Sequence, residues 1–316
     1  MTAAEPPRPG AFGLREVGLL ATASLVWGAA YVFIRQGLVL GAAPLAFASV
    51  RYLLSAVAFA MLAAVRREPF PSRHDLLVSA AIGGTLIIGL YGGLLYWGEQ
   101  YTTGGYAAVL ASTAPLLTVA AGFFLLTAER LGGRGLAGMA IGFVGAAVLV
   151  VPELTGTSVL GSWEGPPFVL GAMVCTAVGT VLLRRYGRGR QTSWQIGVQF
   201  TVAGLLLGTA ALAIPSARAL PLTVGVLELL GVLVVFSSVV GYFSYFALHH
   251  RVGPVRANVV AYLAPLVGVV VGTGFYGEPV TYWELAGVAI VLVGVTMVLW
   301  DSSRRAAVRP AAPPSR

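Results

Sequence analysis

Residues 136–145 read LAGMAIGFVG and residues 285–294 read LAGVAIVLVG, seven identities in ten at a separation of 149. Each string has the apolar character of a helix buried in lipid, and the chain around them agrees. With 57% hydrophobic residues, 10% charged residues and 41 glycines, and a mean hydropathy of +0.85, the composition is that of an integral membrane protein. About 20 apolar residues carry a helix across a hydrocarbon core of about 30 Å. Runs of that length, bounded by Arg, Pro or Gly clusters, predict ten spans at 16–34, 44–65, 76–97, 104–126, 135–151, 167–184, 193–214, 224–248, 255–275 and 282–300. The expected fold class is therefore an all-α membrane protein with connecting loops too short for a soluble catalytic domain.

The repeat extends beyond its opening strings. At an offset of 150, Ala107, Pro115 and Gly122 fall on Ala257, Pro265 and Gly272, with five further identities between them. One deletion later Glu129 falls on Glu278; upstream the match is one of character, with Tyr31 over Thr180 and Arg35 over Arg184. The chain thus divides into an N-terminal tail (1–13, disordered by its Pro-rich composition), a five-helix repeat (14–151), a linker (152–166), a second five-helix repeat (167–301) and a cytoplasmic tail (302–316). Because five is odd, the second copy enters the membrane from the opposite face. The expected architecture is ten transmembrane helices as two inverted five-helix repeats, a transporter design.

The formal charge of +8 and isoelectric point near 10 would suggest nucleic acid in a soluble chain, but the placement of the charges argues otherwise. All twenty basic residues are Arg, and with the N-terminus inside seventeen fall on the cytoplasmic side, in the tails, in loops or at the ends of spans, against Arg35 and Arg218 on the other side and Arg51 well within a span. This asymmetry predicts both termini in the cytoplasm of a multi-pass inner or plasma membrane protein. No basic surface is left for nucleic acid. No secretory signal peptide is expected, because the first apolar run is a full span without a clear cleavage site. Cys175 is mid-helix and reads as a small core residue.

Several motifs together carry a resemblance. LVWGAAYVFIRQG (25–37) lies in the first span, SVRYLLSA (49–56) puts a basic residue early in the second, and LASTAPLLTVAAGFFLLTAERL (110–131) is matched by VAYLAPLVGVVVGTGFYGEPVT (260–281). Over about residues 14–301 the chain resembles the EamA-type drug/metabolite transporter superfamily. The resemblance implies alternating-access transport of small metabolites, frequently export of amino acids or related compounds, and favours a structural role for Glu129 and Glu278. No carboxylate lies at mid-membrane depth, which departs from the small multidrug-resistance relatives and counts against cation extrusion by their mechanism.

Polar groups in hydrocarbon are costly and turn toward partners or a cavity. Helical spacing groups Ser24, Trp27 or Gly28, Tyr31 and Arg35 on one stripe of the first span. Thr176, Thr180 and Arg184 take the equivalent places in the sixth, Thr85, Gly89, Gly92 and Tyr96 stripe the third, and Ser238, Tyr242, Tyr245 and His249 stripe the eighth. Ser112 stands three before Pro115, and Tyr262 three before Pro265 with Asn258 one turn earlier. Arg51 is the sole strong charge well inside a span, placed either to snorkel to the interface or to act inward. The candidate substrate-binding set is Trp27, Tyr31, Arg51, Tyr96, Ser112, Thr180, Tyr242, Tyr245, Asn258 and Tyr262. The competing reading is that Ser, Thr and Gly faces are helix-packing contacts, to which the Gly138/Gly142, Gly204/Gly208 and Gly268/Gly272 pairs are assigned. Glu129 and Glu278 at the ends of their spans would fix loop geometry or close a gate, while Glu228 and Glu284 would be solvated at the outer interface.

An enzyme would need a nucleophile, acid–base or metal constellation. The sequence offers three scattered histidines, no HExxH or GxSxG, and no Walker-type loop, so no catalytic residue, metal or cofactor is expected. The reading is a secondary transporter of a small polar or zwitterionic metabolite, in a lipid bilayer, as a monomer or homodimer. Proton coupling and facilitated diffusion both fit; a passive channel or an intramembrane enzyme are the alternatives.

Overall fold

The computed structural model describes residues 13–125, 132–154, 162–187, 191–252, 257 and 259–308, with the side chain of Tyr262 outside that description. Among the described residues the chain is helical and contains no strand. We label the helices α1 (Leu14–Val39), α2 (Pro44–Val65), α3 (Arg73–Gly98), α4 (Gly104–Leu125), α5 (Gly133–Leu154), α6 (Gly165–Tyr186), α7 (Ser193–Ala213), α8 (224–252), α9 (Val260–Tyr276) and α10 (Tyr282–Val308). Seven of them are long and apolar enough to cross a membrane by length and composition, and α5, α9 and α10 contain shorter apolar runs. Asn258 and Glu129 lie outside the described residues.

Local chemistry sets the helix ends. α2 starts on Pro44, whose missing N–H is one of the donors a first turn leaves unpaired. α7 starts on a capping box in which Thr192 accepts from the Gln195 N–H and the Gln195 side chain accepts from the Thr192 N–H at 2.8 Å. α10 starts the same way: Glu284 accepts from the Thr281 N–H at 2.8 Å. Glu284, expected to be solvated, is only 2% exposed, because this cap draws its carboxylate back onto the backbone. α9 ends on Gly277 at φ +64°, a left-handed position that suits glycine, and the Glu278 N–H then returns to the Gly272 carbonyl.

Three helices are irregular inside. α3 widens into π geometry over Ser79–Leu90, and α8 does the same over Leu233–Val240 between Val224–Val232 and Gly241–Val252. α4 breaks at Ser112 and Thr113, between Gly104–Ala111 and Ala114–Leu125. Pro115 has no N–H to give to Ala111, so the turn before it opens.

Packing is organised around α1 and α6. α1 lies against α8 and α9, and α6 against α3 and α4; α2 pairs with α7, α4 with α9, and α5 with α10. In the last pair the two opening strings lie on each other. A Cβ on Gly294 would come within 2.5 Å of the Gly138 carbonyl oxygen, and one on Gly145 within 2.7 Å of the Val291 nitrogen. Backbones this close gain dispersion contacts that side chains would hold off. The Gly204/Gly208 pair likewise seats α7 on Leu53 and Ser49 of α2.

Candidate functional site

Arg51 of α2 is 7% exposed. Its Nη1 donates to the Tyr96 hydroxyl of α3 at 2.7 Å and its Nη2 to Ser237 Oγ of α8 at 2.8 Å, and the guanidinium carbon stands 5.5 Å from the Tyr52 ring centre. Nε has no hydrogen-bond partner, and among the described residues no carboxylate forms an ion pair with this arginine. The side chain therefore turns inward rather than snorkelling, and it holds an uncompensated positive charge among aromatic rings. Such a charge is costly in hydrocarbon surroundings.

The π turn of α8 makes this arrangement possible. A widened turn loosens the usual carbonyl ladder, and the Ser237 carbonyl takes a bond from Trp27 Nε1 of α1 at 3.0 Å while its hydroxyl takes one from Arg51. Next to it Ser238 shares a 2.9 Å hydroxyl contact with Ser55, which in turn donates to the Arg51 carbonyl. Trp27 crosses α8 at Gly241, where a Cβ would lie 2.4 Å from Nε1, and its ring meets Tyr242 and Tyr245 at centroid separations of 5.8 and 5.1 Å. Tyr31 sits one turn further along α1, its hydroxyl 3.4 Å from that of Tyr91.

Trp27, Tyr31, Arg51, Tyr96, Tyr242 and Tyr245 are thus gathered on α1, α2, α3 and α8. Thr180 is half-buried on α6, and among the described residues no hydrogen bond joins it to Tyr31. Ser112 is fully buried at the α4 break with its hydroxyl unpaired. The stripe drawn at α-helical spacing on α3 splits where its π turns end: Gly89 packs on α7 at Ala203 and Leu206, whereas Gly92 faces the Tyr52 ring. Sequence reasoning missed Ser237, Tyr52 and Tyr91, which stand off those stripes. A crevice of about 360 Å³ between α1, α8 and α9 reaches Ser237 from the side, but Leu25, Val26, Phe33, Phe236 and Phe275 line it, which suits an acyl chain better than a polar solute.

The C-terminal ends of α1 and α3 hold a second group. Arg35 of α1 donates to the carbonyls of Glu99 and Gln100 at 2.7 and 2.8 Å. Glu278 accepts from the Gly104 and Gly105 N–H groups at 3.0 and 2.7 Å, capping α4 with a carboxylate where the helix dipole favours one. A Cβ on Gly272 would sit 2.3 Å from its Oε2, so this glycine is room for the carboxylate as well as helix packing. Glu99, in the turn after α3, is fully buried, and neither carboxylate oxygen has a partner among the described residues. Burial, reinforced by the nearby Glu278 charge, pushes its carboxyl well above the ordinary carboxylate range against the opposing pull of Arg35 and Arg51. Hydropathy alone leaves Glu99 in the loop after the third span, where it would be solvated.

The model of the EamA-like transporter family matches residues 14–151 and 163–300. The chain belongs to the EamA-like transporter family. Among curated proteins, it is 29% identical over 288 residues to the "Uncharacterized inner membrane transporter YedA" of Escherichia coli (strain K12), covering 89% of each chain. It is 28% identical to the "Uncharacterized transporter YvbV" of Bacillus subtilis, covering 89% and 90%. The "Probable amino-acid metabolite efflux pump" of Salmonella typhimurium is also 28% identical, with coverage of 89% and 94%. A solved crystal structure shares the fold at a TM-score of 0.60 and 19% identity, covering 92% of this chain and 98% of the other. As an EamA-like protein with several membrane-length apolar helices, the chain is a multi-pass membrane transporter for small molecules.

Proposed function

We propose that the chain is a secondary transporter that works by alternating access and exports a small polar metabolite bearing a carboxylate, such as an amino acid. The observation that carries this reading is the buried Arg51 guanidinium with a free Nε and, among the described residues, no anionic partner, set among hydroxyls and rings. Arginine binds carboxylates in its own plane through paired hydrogen bonds, and a substrate carboxylate would neutralise the charge that the protein leaves open. Trp27, Tyr242 and Tyr245 would pack on the apolar part of the substrate.

The packing partners support reading the ten helices as crossings built from an inverted repeat. Exchanging each helix of one half for its mate turns the α1–α8 contact into α6–α3 and the α1–α9 contact into α6–α4, and both members of each exchange occur. The pairs α2–α7, α4–α9 and α5–α10 map onto themselves. Ser112 and Tyr262, and likewise Tyr31 and Thr180, are related by this operation, so we keep Ser112, Thr180, Asn258 and Tyr262 in the proposed substrate path near the axis. The arginine asymmetry orients both termini toward the cytoplasm. The name of the Salmonella relative supports export of amino-acid metabolites. The test is a growth-inhibition panel: overexpression should confer resistance to at least one toxic amino-acid analogue and Arg51→Ala should abolish it, whereas equal sensitivity with and without the protein across the panel would overturn the export reading.

A further inference from the structure

We propose that Glu99 is a proton-binding site and that the proton it takes holds the outer end of the transporter closed. The proposal rests on the secondary-transport reading and adds its coupling ion. The carboxyl group is fully buried and among the described residues both of its oxygens lack partners, which an ionised carboxylate tolerates poorly. The charged groups around it come from three elements, and among the described residues none bonds to its carboxylate oxygens. Arg35 of α1 is committed to the Glu99 and Gln100 carbonyls, and Arg51 of α2 to Tyr96 and Ser237. Glu278, from the α9–α10 loop, is engaged by the α4 N-terminus and adds a negative charge. The phenols that feel Glu99 are Tyr31 of α1, Tyr52 of α2 and, on its own helix, Tyr96. The closed arrangement therefore accommodates the acid form. One proton from the outer solution adds to one carboxylate oxygen when the end closes, and returns to solution when the end opens and water reaches the anion. Because the closed form holds the proton more tightly, acid outside must favour closure by linkage.

The test uses full-length protein in vesicles of Escherichia coli polar lipid. Infrared spectra recorded from about pH 5 to about pH 9, across the ordinary and raised carboxylate ranges, should contain the carbonyl stretch of a protonated carboxylic acid at neutral pH. That band should be lost in Glu99→Gln. A band unchanged in Glu99→Gln, or absent from the parent, would overturn the site. Closure is read from Gln100→Cys on a Cys175→Ser background, with a membrane-impermeant maleimide. Relative to the same cysteine with Glu99→Gln, labelling of the parent should rise severalfold as the outer pH rises, while a constant ratio would overturn the link to closure. Recording right-side-out and inverted vesicles separately shows a reversed orientation as labelling from the wrong face. A failure of the transport reading shows separately, as absent counterflow of labelled amino acids while the infrared band persists.

Discussion

Arg51 illustrates how a single buried charge constrains both stability and function. Each charge-assisted hydrogen bond contributes about 1.5–3 kcal/mol, so losing the guanidinium from a bound carboxylate should weaken substrate binding by about 10- to 100-fold. Arg51→Ala should show that loss in counterflow, and Arg51→Lys should recover only part of it, because an ammonium cannot reproduce the planar fork. Melting measurements on the purified variants separate this from misfolding. The lone charge within a span is legible in the sequence; its partners are not, because Tyr96 and Ser237 are 45 and 186 positions away. Glu99 gives a second residue-scale prediction. Its carboxyl is pushed upward, so the folded state binds the proton more tightly than the unfolded chain. The stability that this group contributes is complete below about pH 4.3 and is lost as pH rises toward the raised folded value. Glu99→Gln should therefore melt at a higher temperature than the parent at about pH 8, and the two should converge as pH falls toward about 4.3. A difference that is constant with pH would show that the carboxyl does not titrate in this way.

Among the elements, the α5–α10 pair and the α4 cap make the sharpest demands. The contact at Gly294 leaves no room for a side chain, and overpacking of this kind costs about 1–3 kcal/mol. Gly294→Val should lower the melting temperature clearly, while Gly231→Ala, with nothing within 4 Å of the added Cβ, should not. Glu278→Ala removes the acceptor from two backbone N–H groups of α4; hydrogen exchange at Gly104 and Gly105 should accelerate while that at the middle of α6 stays unchanged. The helices themselves follow from apolar runs and caps that a sequence displays openly, with Pro44, Thr192 and Thr281 standing at three of the helix starts. The registers inside α3 and α8 do not, because π geometry changes which side chains share a face. For that reason the stripe through Gly89 and Tyr96 divides between packing and site, and Ser237 joins the site unannounced.

At the scale of the whole molecule, α1 is fastened at both ends. Arg251 of α8 pairs with Glu16 at 3.0 Å near its start, and Arg35 binds the α3–α4 turn near its finish. The proposed alternating access would break these ties in turn, so a variant lacking one should shift the protein toward the conformation open at that end. The two strings at 136–145 and 285–294 already contain this architecture in outline, since one chain repeats them and the fold lays them on each other. Orientation is testable apart from chemistry: cysteines in the loops after α2, α6 and α8 should resist an impermeant reagent in intact cells, and labelling of residues 187–191 from outside would reverse the assignment. The central claim, that a metabolite crosses at the Arg51 seam, is tested most directly by counterflow of a labelled amino acid, chosen from the resistance panel, in proteoliposomes. The account predicts saturable counterflow by the parent and by Gly231→Ala, and its loss in Arg51→Ala protein that still melts cooperatively; non-saturable flux, or counterflow untouched by Arg51→Ala, would contradict it.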